Sequence, residues 1–220
     1  MIIHGSIVAY NGAYLTIKPD GDISRELLQK SVNDVEIRLN DGRELTNDQR
    51  KMIYAFIGDF AAYTGYEPQD AKTWLKYFYI RDRGEEYFSL ANTDRTTAKE
   101  FIDYLVNFFM EQNIPTRSPL RLQTDDIGKY LYRCLEHRKC AICNAPADVH
   151  HVDTVGMGRD RETINHLGMR AIALCRQHHQ EAHQRGRAFF DYYHVYGIRL
   201  DEYLCDVLGL NRTEIWGFTF

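Results

Sequence analysis

Apolar positions divide the chain into three patterns. In residues 1–45 they come as short β-branched and aromatic runs, Ile2–Val8, Tyr14–Lys18 and Val35–Leu39. The dipeptides Asn11-Gly12, Asp20-Gly21 and Asp41-Gly42 punctuate them, so this part reads as strands joined by turns, a small open sheet or partial barrel. A short helix fits between them, from Ser24 to Lys30.

From Thr46 the spacing becomes helical. Thr46 and Gln49 have the spacing of a capping box, and Met52, Ile53, Phe56, Ile57 and Phe60 follow on one face, with Gly65 as a stop. Pro68 opens a second helix whose inner face is expected to hold Ala71, Trp74, Leu75 and Phe78. Thr97 and Glu100 repeat the capping spacing ahead of Phe101, Ile102, Leu105 and Phe109, and Ile114-Pro115 closes that helix. Helical periodicity assigns these aromatics to a core rather than to a base-stacking surface.

Beyond residue 116 the pattern changes again. PTRSP, residues 115–119, places two prolines in five residues and suits an extended hinge. A helix over Asp125–Arg138 is expected next, then β-like runs at Ala147–Val152 and Met169–Leu174, each short. Two short helices, Ala188–Tyr196 and Leu200–Leu208, finish the chain, with Gly197 and Gly209 as breakers. The expected class is α+β: residues 1–45 a β-rich part, 46–116 a helical domain that 1–45 can join, and 117–220 a metal-containing domain.

With 220 residues, 44% hydrophobic and 13% aromatic, the chain can bury a core without disulfides. Its formal charge of −4 lacks the basic bias of a tight duplex binder. Between Arg133 and Arg187, however, nine Lys and Arg stand against six Asp and Glu, a local excess of three, so nucleic-acid contact is expected there. The N-terminal MIIHGSIVAYNG has no basic n-region ahead of a long apolar core, and no apolar run is long enough to span a bilayer. No signal peptide and no membrane partner are expected, and thiols rather than disulfides suit a cytoplasmic setting.

Three of the five cysteines and six of the nine histidines fall between Arg138 and Arg187. Cys140 and Cys143 form C-x-x-C, and Cys175 and His178 form C-x-x-H, together the four soft ligands that a closed tetrahedral Zn²⁺ site requires. His179 and His183 are four apart on the expected helix and can hold one ion between them, while His178 and His179 point about 100° apart. One helix can therefore serve two metals. Cys134 and Cys205 are left as ordinary buried thiols, and His4, His137, His166 and His194 receive no functional role.

The segments CAIC, VHHVD and ALCRQHHQEAH, over about fifty residues, resemble the ββα-metal finger of HNH endonucleases. The resemblance implies that His150 binds the catalytic ion together with His179 and His183, and that His151 is the general base that deprotonates water. An asparagine that often orients the base in that family is replaced here by Arg170, and Asn165 stands nearby. Three histidines favour Zn²⁺, Ni²⁺ or Mn²⁺ over Mg²⁺ as the catalytic ion on ligand softness. Arg159 and Arg161, in a glycine-rich connection, either meet phosphates or are solvated loop charges; Arg170 joins them as a candidate DNA contact. A histidine-rich, inactive module that only binds DNA is the plain alternative.

LTNDQRKMIYAFIGDFAAYTGY, TWLKYF and SLANTDRTTAKEFIDYLVNFFMEQNIP, residues 45–116, resemble more diffusely the NinB/Orf family of phage recombination mediators. That resemblance implies binding of single-stranded DNA, contact with a single-strand-binding protein, help in loading a recombinase, and a homodimer. Over its full length the chain is similar to phage-encoded HNH nucleases of Gram-positive hosts. Three functions follow as expectations: a metal-dependent DNA endonuclease acting on single-stranded or branched DNA, a non-catalytic mediator, or a zinc-stabilised adaptor.

Overall fold

The computed structural model describes residues 5–25, 27, 43–153 and 165–210. The fold is α+β, with seven α-helices and two small sheets among the described residues. Strands β1 (Gly5–Tyr10) and β2 (Leu15–Pro19) pair as an antiparallel hairpin whose register shifts between Ile7 and Ala9. Ser24, Arg25 and Leu27 are helical, as expected. Residues 26 and 28–30 of the expected helix, and the expected strand Val35–Leu39, lie outside the described residues.

Helix α1 (Asn47–Thr64) begins at the expected capping box: Thr46 accepts from the Gln49 N–H, and the Gln49 side chain reaches back to the Thr46 N–H. It ends at Gly65, whose φ of 78° favours glycine. Helix α2 (Pro68–Arg83) starts with its proline in the first turn. Its buried line is Ala71, Leu75 and Tyr79, four residues apart. Trp74 lies one position off that line and is 42% exposed, contrary to the inner-face expectation, stacking at the surface between Tyr66 and Phe78.

Helix α3 (Arg95–Glu111) corrects a second expectation. Its cap is Asp94, whose carboxylate accepts from the N–H groups of Thr96 and Thr97, so Thr97 lies inside the helix and donates its hydroxyl to the same cap. Phe101, Ile102, Leu105 and Phe109 are buried as the spacing predicts, and Phe109 meets Phe56 edge-on at 4.9 Å between centroids.

The proline-rich stretch after α3 is anchored to α1. Asp59 is 5% exposed, and both the backbone N–H and the Nε of Arg117 donate to its carboxylate, at 3.2 and 2.8 Å. A carboxylate so buried is costly unless paired, which fixes the path of this segment. A 3₁₀ turn (Leu120–Leu122) leads into α4 (Ile127–Glu136), which packs on α3 through Lys129–Asp103 and His137–Asn107.

The C-terminal part is built on a three-stranded antiparallel sheet in the order β3 (Asp148–His151), β4 (Arg170–Leu174), β5 (Ile198–Arg199). Two residues are too few to leave a period, so β5 has no sequence signature. Helix α5 (Arg176–Arg185) follows β4 directly. Gly186, at φ 53° and ψ −129°, breaks it from α6 (Arg187–Tyr193), and the chain ends its described part with α7 (Glu202–Leu208), capped by Gly209. Helix α6 stops at His194 in the left-handed region, earlier than Gly197 would place it. Instead Gly197 lets β5 approach: a Cβ there would sit 2.8 Å from Cγ2 of Val152. Cys134 and Cys205 are buried thiols outside any disulfide, as expected. No helix among the described residues is long and apolar enough to cross a membrane.

Candidate metal centre

The first ligand pair is presented by a tight turn. Asn144 at φ 59° lets its N–H return to the Cys140 carbonyl, the Cys140 N–H meets the Ala145 carbonyl, and Lys139 bridges to Pro146. The Ala141 N–H then donates to Ala173 of β4, and the buried Tyr130 hydroxyl donates to the Ala141 carbonyl at 2.9 Å. The knuckle is thus held by both α4 and the sheet. The second pair opens α5: Cys175 occupies the N-cap position, and its sulfur lies against that of Cys143 in the knuckle.

The donor atoms of Cys140, Cys143, Cys175 and His178 all lie within 4.8 Å of one another. Cys143 Sγ and Cys175 Sγ are 3.7 Å apart, and His178 Nδ1 is 3.5 Å from Cys140 Sγ and 3.2 Å from Cys175 Sγ. A tetrahedron with Zn–S near 2.3 Å and Zn–N near 2.0 Å has edges of roughly 3.8 and 3.5 Å. The donor set and its spacing fit zinc. Burial pushes the Cys140 thiol up to about 12, whereas Cys175, despite some burial, is held below the usual thiol value by the N–H groups of His178 and Gln177 and by its neighbouring sulfurs. A bound dication would reverse the first of these shifts by favouring the thiolate.

His150, His179 and His183 form a second cluster, again with ligand nitrogens within 4.8 Å of one another. Their ring centroids are 4.6 Å (His150 to His179), 4.9 Å (His150 to His183) and 5.0 Å (His179 to His183) apart. Only 7% of His150 is exposed, and burial first, then the neighbouring imidazoles of His179, His183 and His151, lowers its pKa to about 4. His179 is lowered for the same two reasons. Three imidazoles whose nitrogens converge in this way are a ligand set for a divalent cation of intermediate softness. Phe190 closes one side of His150, 6.3 Å away.

His151 stands apart from that cluster. Consecutive strand residues face opposite ways, and its Nε2 lies 2.9 Å from Nδ1 of His166, the rings 4.9 Å apart. His166, given no role from sequence, is thus a neighbour of the residue on which the resemblance rests. Burial lowers its pKa. Only its place in the connection between VHHVD and the third cysteine hinted at this, since a single loop histidine has no period.

The candidate DNA contacts fare unequally. Arg159 and Arg161 lie outside the described residues. Arg170 opens β4, and Asp153 holds it: the carboxylate accepts from the Arg170 N–H at 2.7 Å, Nε at 2.8 Å and an Nη at 2.6 Å. This pair fixes the exit of β3 to the entry of β4 and keeps Asp153 below the usual carboxylate range. Asn165 accepts the Leu167 N–H at 3.0 Å.

A model of the family described as "Putative HNHc nuclease" matches residues 20–211. No curated protein and no solved structure matches the chain.

Proposed function

Because this chain belongs to the HNHc nuclease family, we propose that it is a metal-dependent endonuclease that hydrolyses DNA phosphodiesters. The observation that carries the reading is the separation of roles around β3: His150 joins a three-histidine cluster while His151, the next residue, stays out of it. A general base must not spend its lone pair on a metal, and a place outside the three-histidine cluster supports that role for His151.

His150, His179 and His183 would hold the catalytic ion, and Cys140, Cys143, Cys175 and His178 a structural zinc. Bound there, a divalent cation (Mn²⁺, Ni²⁺, Zn²⁺ or Mg²⁺) supplies Lewis-acid polarisation of the phosphate and stabilises the leaving oxygen. His151 removes a proton from water as the water oxygen bonds to phosphorus. The bond from phosphorus to the leaving sugar oxygen breaks, and that oxygen keeps the electron pair. Imidazole is the side chain whose reference pKa, about 6.5, lies nearest neutrality, which suits the residue type to general-base work. Arg159, Arg161 and Arg170 are the candidate phosphate contacts, Arg170 through whatever face of its guanidinium Asp153 leaves to solvent.

The substrate we propose is single-stranded or branched DNA in the cytoplasm, that of a bacterial host if the gene is phage-borne. Residues 46–116 would act as a NinB/Orf-like module that contacts single-strand-binding protein and dimerises. A second reading, a non-cutting recombination mediator, is favoured by the exposed aromatics Tyr63, Tyr66, Trp74 and Tyr77, since bases stack on such rings. Incubating the protein with single-stranded, duplex and branched DNA under a panel of divalent cations separates the two. Cleavage of any substrate supports the nuclease, and binding without cleavage under every ion supports the mediator.

A further inference from the structure

The backbone that carries His166 is held at several points. Its carbonyl accepts the Met169 N–H at 3.1 Å, closing a tight turn in which Gly168 adopts φ 79°, a conformation that favours glycine. The Gly168 N–H donates to the Leu200 carbonyl at 2.7 Å, beside β5, and Asn165 Oδ1 takes the Leu167 N–H. His151 is equally fixed, since β3 pairs it with Ala171. Two rings carried on hydrogen-bonded backbone meet, Nε2 to Nδ1, at 2.9 Å, with His166 8% exposed.

A hydrogen bond between two neutral imidazoles has one donor and one acceptor. If His166 Nδ1 carried the proton, it would occupy the Nε2 lone pair of His151, and the proton of His151 would sit on Nδ1, leaving no basic nitrogen. The reverse arrangement leaves the lone pair of His151 on Nδ1. We propose that His166 is the positioning residue for His151: its Nδ1 accepts the Nε2–H of His151 and fixes the tautomer and ring orientation in which Nδ1 takes the proton from water. This rests on the nuclease reading above.

The test compares the zinc-loaded full chain with His166→Ala and His166→Asn, the latter keeping an acceptor oxygen near the place of Nδ1. Single-turnover cleavage is read beside long-range ¹H–¹⁵N spectra of the histidine rings. The expected results are a rate loss of about 10- to 100-fold in His166→Ala, the range typical of losing an outer partner, with KM and catalytic-ion affinity unchanged, and recovery of most of it in His166→Asn. The parent spectrum should show His151 protonated on Nε2, and His166→Ala should lose that preference. Undiminished cleavage by His166→Ala, or a His151 tautomer indifferent to the substitution, overturns the proposal while leaving the nuclease reading intact. If His166→Ala does not fold, the parent spectrum decides: His151 protonated on Nδ1 overturns the proposal. A parent that cuts nothing overturns the nuclease reading, and with it any catalytic use of the pair.

Discussion

His178 and His179, consecutive residues in the first turn of one helix, belong to two different ligand clusters: His178 faces the three cysteines, and His179 faces His150 and His183. The 100° step between neighbouring helical residues makes this possible. It also couples the clusters, because whatever fixes the start of α5 for one of them orients the other.

Zinc removal should therefore cost more than one ligand cluster. Four ligands from two distant segments close the first site, and structural zinc binding contributes on the order of 10 to 16 kcal/mol to small zinc modules. Chelation, or Cys143→Ser, should abolish the ordered structure of residues 138–153 and 165–185 and with it the His179 and His183 site. Elemental analysis with circular dichroism checks this. Protein purified without chelator that contains no zinc, yet is folded, would contradict it.

His183→Ala should behave differently. It removes a ligand from the second cluster and leaves the first intact, so one tightly held zinc per chain should remain. Affinity for the catalytic ion should fall by more than the about 10- to 100-fold typical of losing an outer partner, and cleavage should recover partly at high manganese or nickel. Loss of the tightly held zinc would mean that the two sites are not separable as described.

Salt should weaken DNA binding measurably. With three net phosphate contacts, matching the local excess of basic residues, counterion release predicts an affinity loss of about 15- to 40-fold between 50 and 200 mM salt. Fluorescence anisotropy with single-stranded and duplex oligonucleotides measures it. Flat affinity, or none, would favour a protein adaptor.

Helix α3 offers a test of its cap. Asp94→Ala should destabilise the protein by about 0.5 to 2 kcal/mol. Burial pushes the Asp94 carboxyl up, but bonds from the Thr97 hydroxyl and from the N–H groups of Thr97 and Thr96 prevail and hold it below its ordinary value of 3.8. The folded state thus prefers the carboxylate. The cap's contribution is complete above the ordinary value and is lost as pH falls through the lowered one. Urea titrations of parent and Asp94→Ala should differ at pH 7 and converge as pH falls below the lowered Asp94 value; equal midpoints at pH 7 would place the cap elsewhere.

What could be read from the sequence was whatever repeats locally. C-x-x-C, C-x-x-H and H-x-x-x-H place ligands within one turn of each other, so spacing alone separated the two clusters now seen around α5. The capping box at Thr46 and the glycine stop at Gly65 are local in the same sense. Contacts between distant segments left no such trace: His151 with His166, Asp153 with Arg170, and Asp59 with Arg117 join residues whose spacing has no helical or strand period. Trp74 failed for another reason. Helical spacing gives the width of an apolar stripe but not its centre, and the core took the Ala71, Leu75, Tyr79 line. At α3, Asp94 outcompeted Thr97 as a cap because its carboxylate reaches two N–H groups at once.

The most direct test of the nuclease account is the nicking rate of the parent and of His151→Ala across a manganese or nickel titration. The account predicts that the parent cuts, that His151→Ala keeps its zinc and fold, and that it loses about 10² to 10⁴-fold in rate, the typical contribution of a positioned base, at every ion concentration. A parent that cuts while His151→Ala cuts equally well would contradict it, because the base would then lie elsewhere.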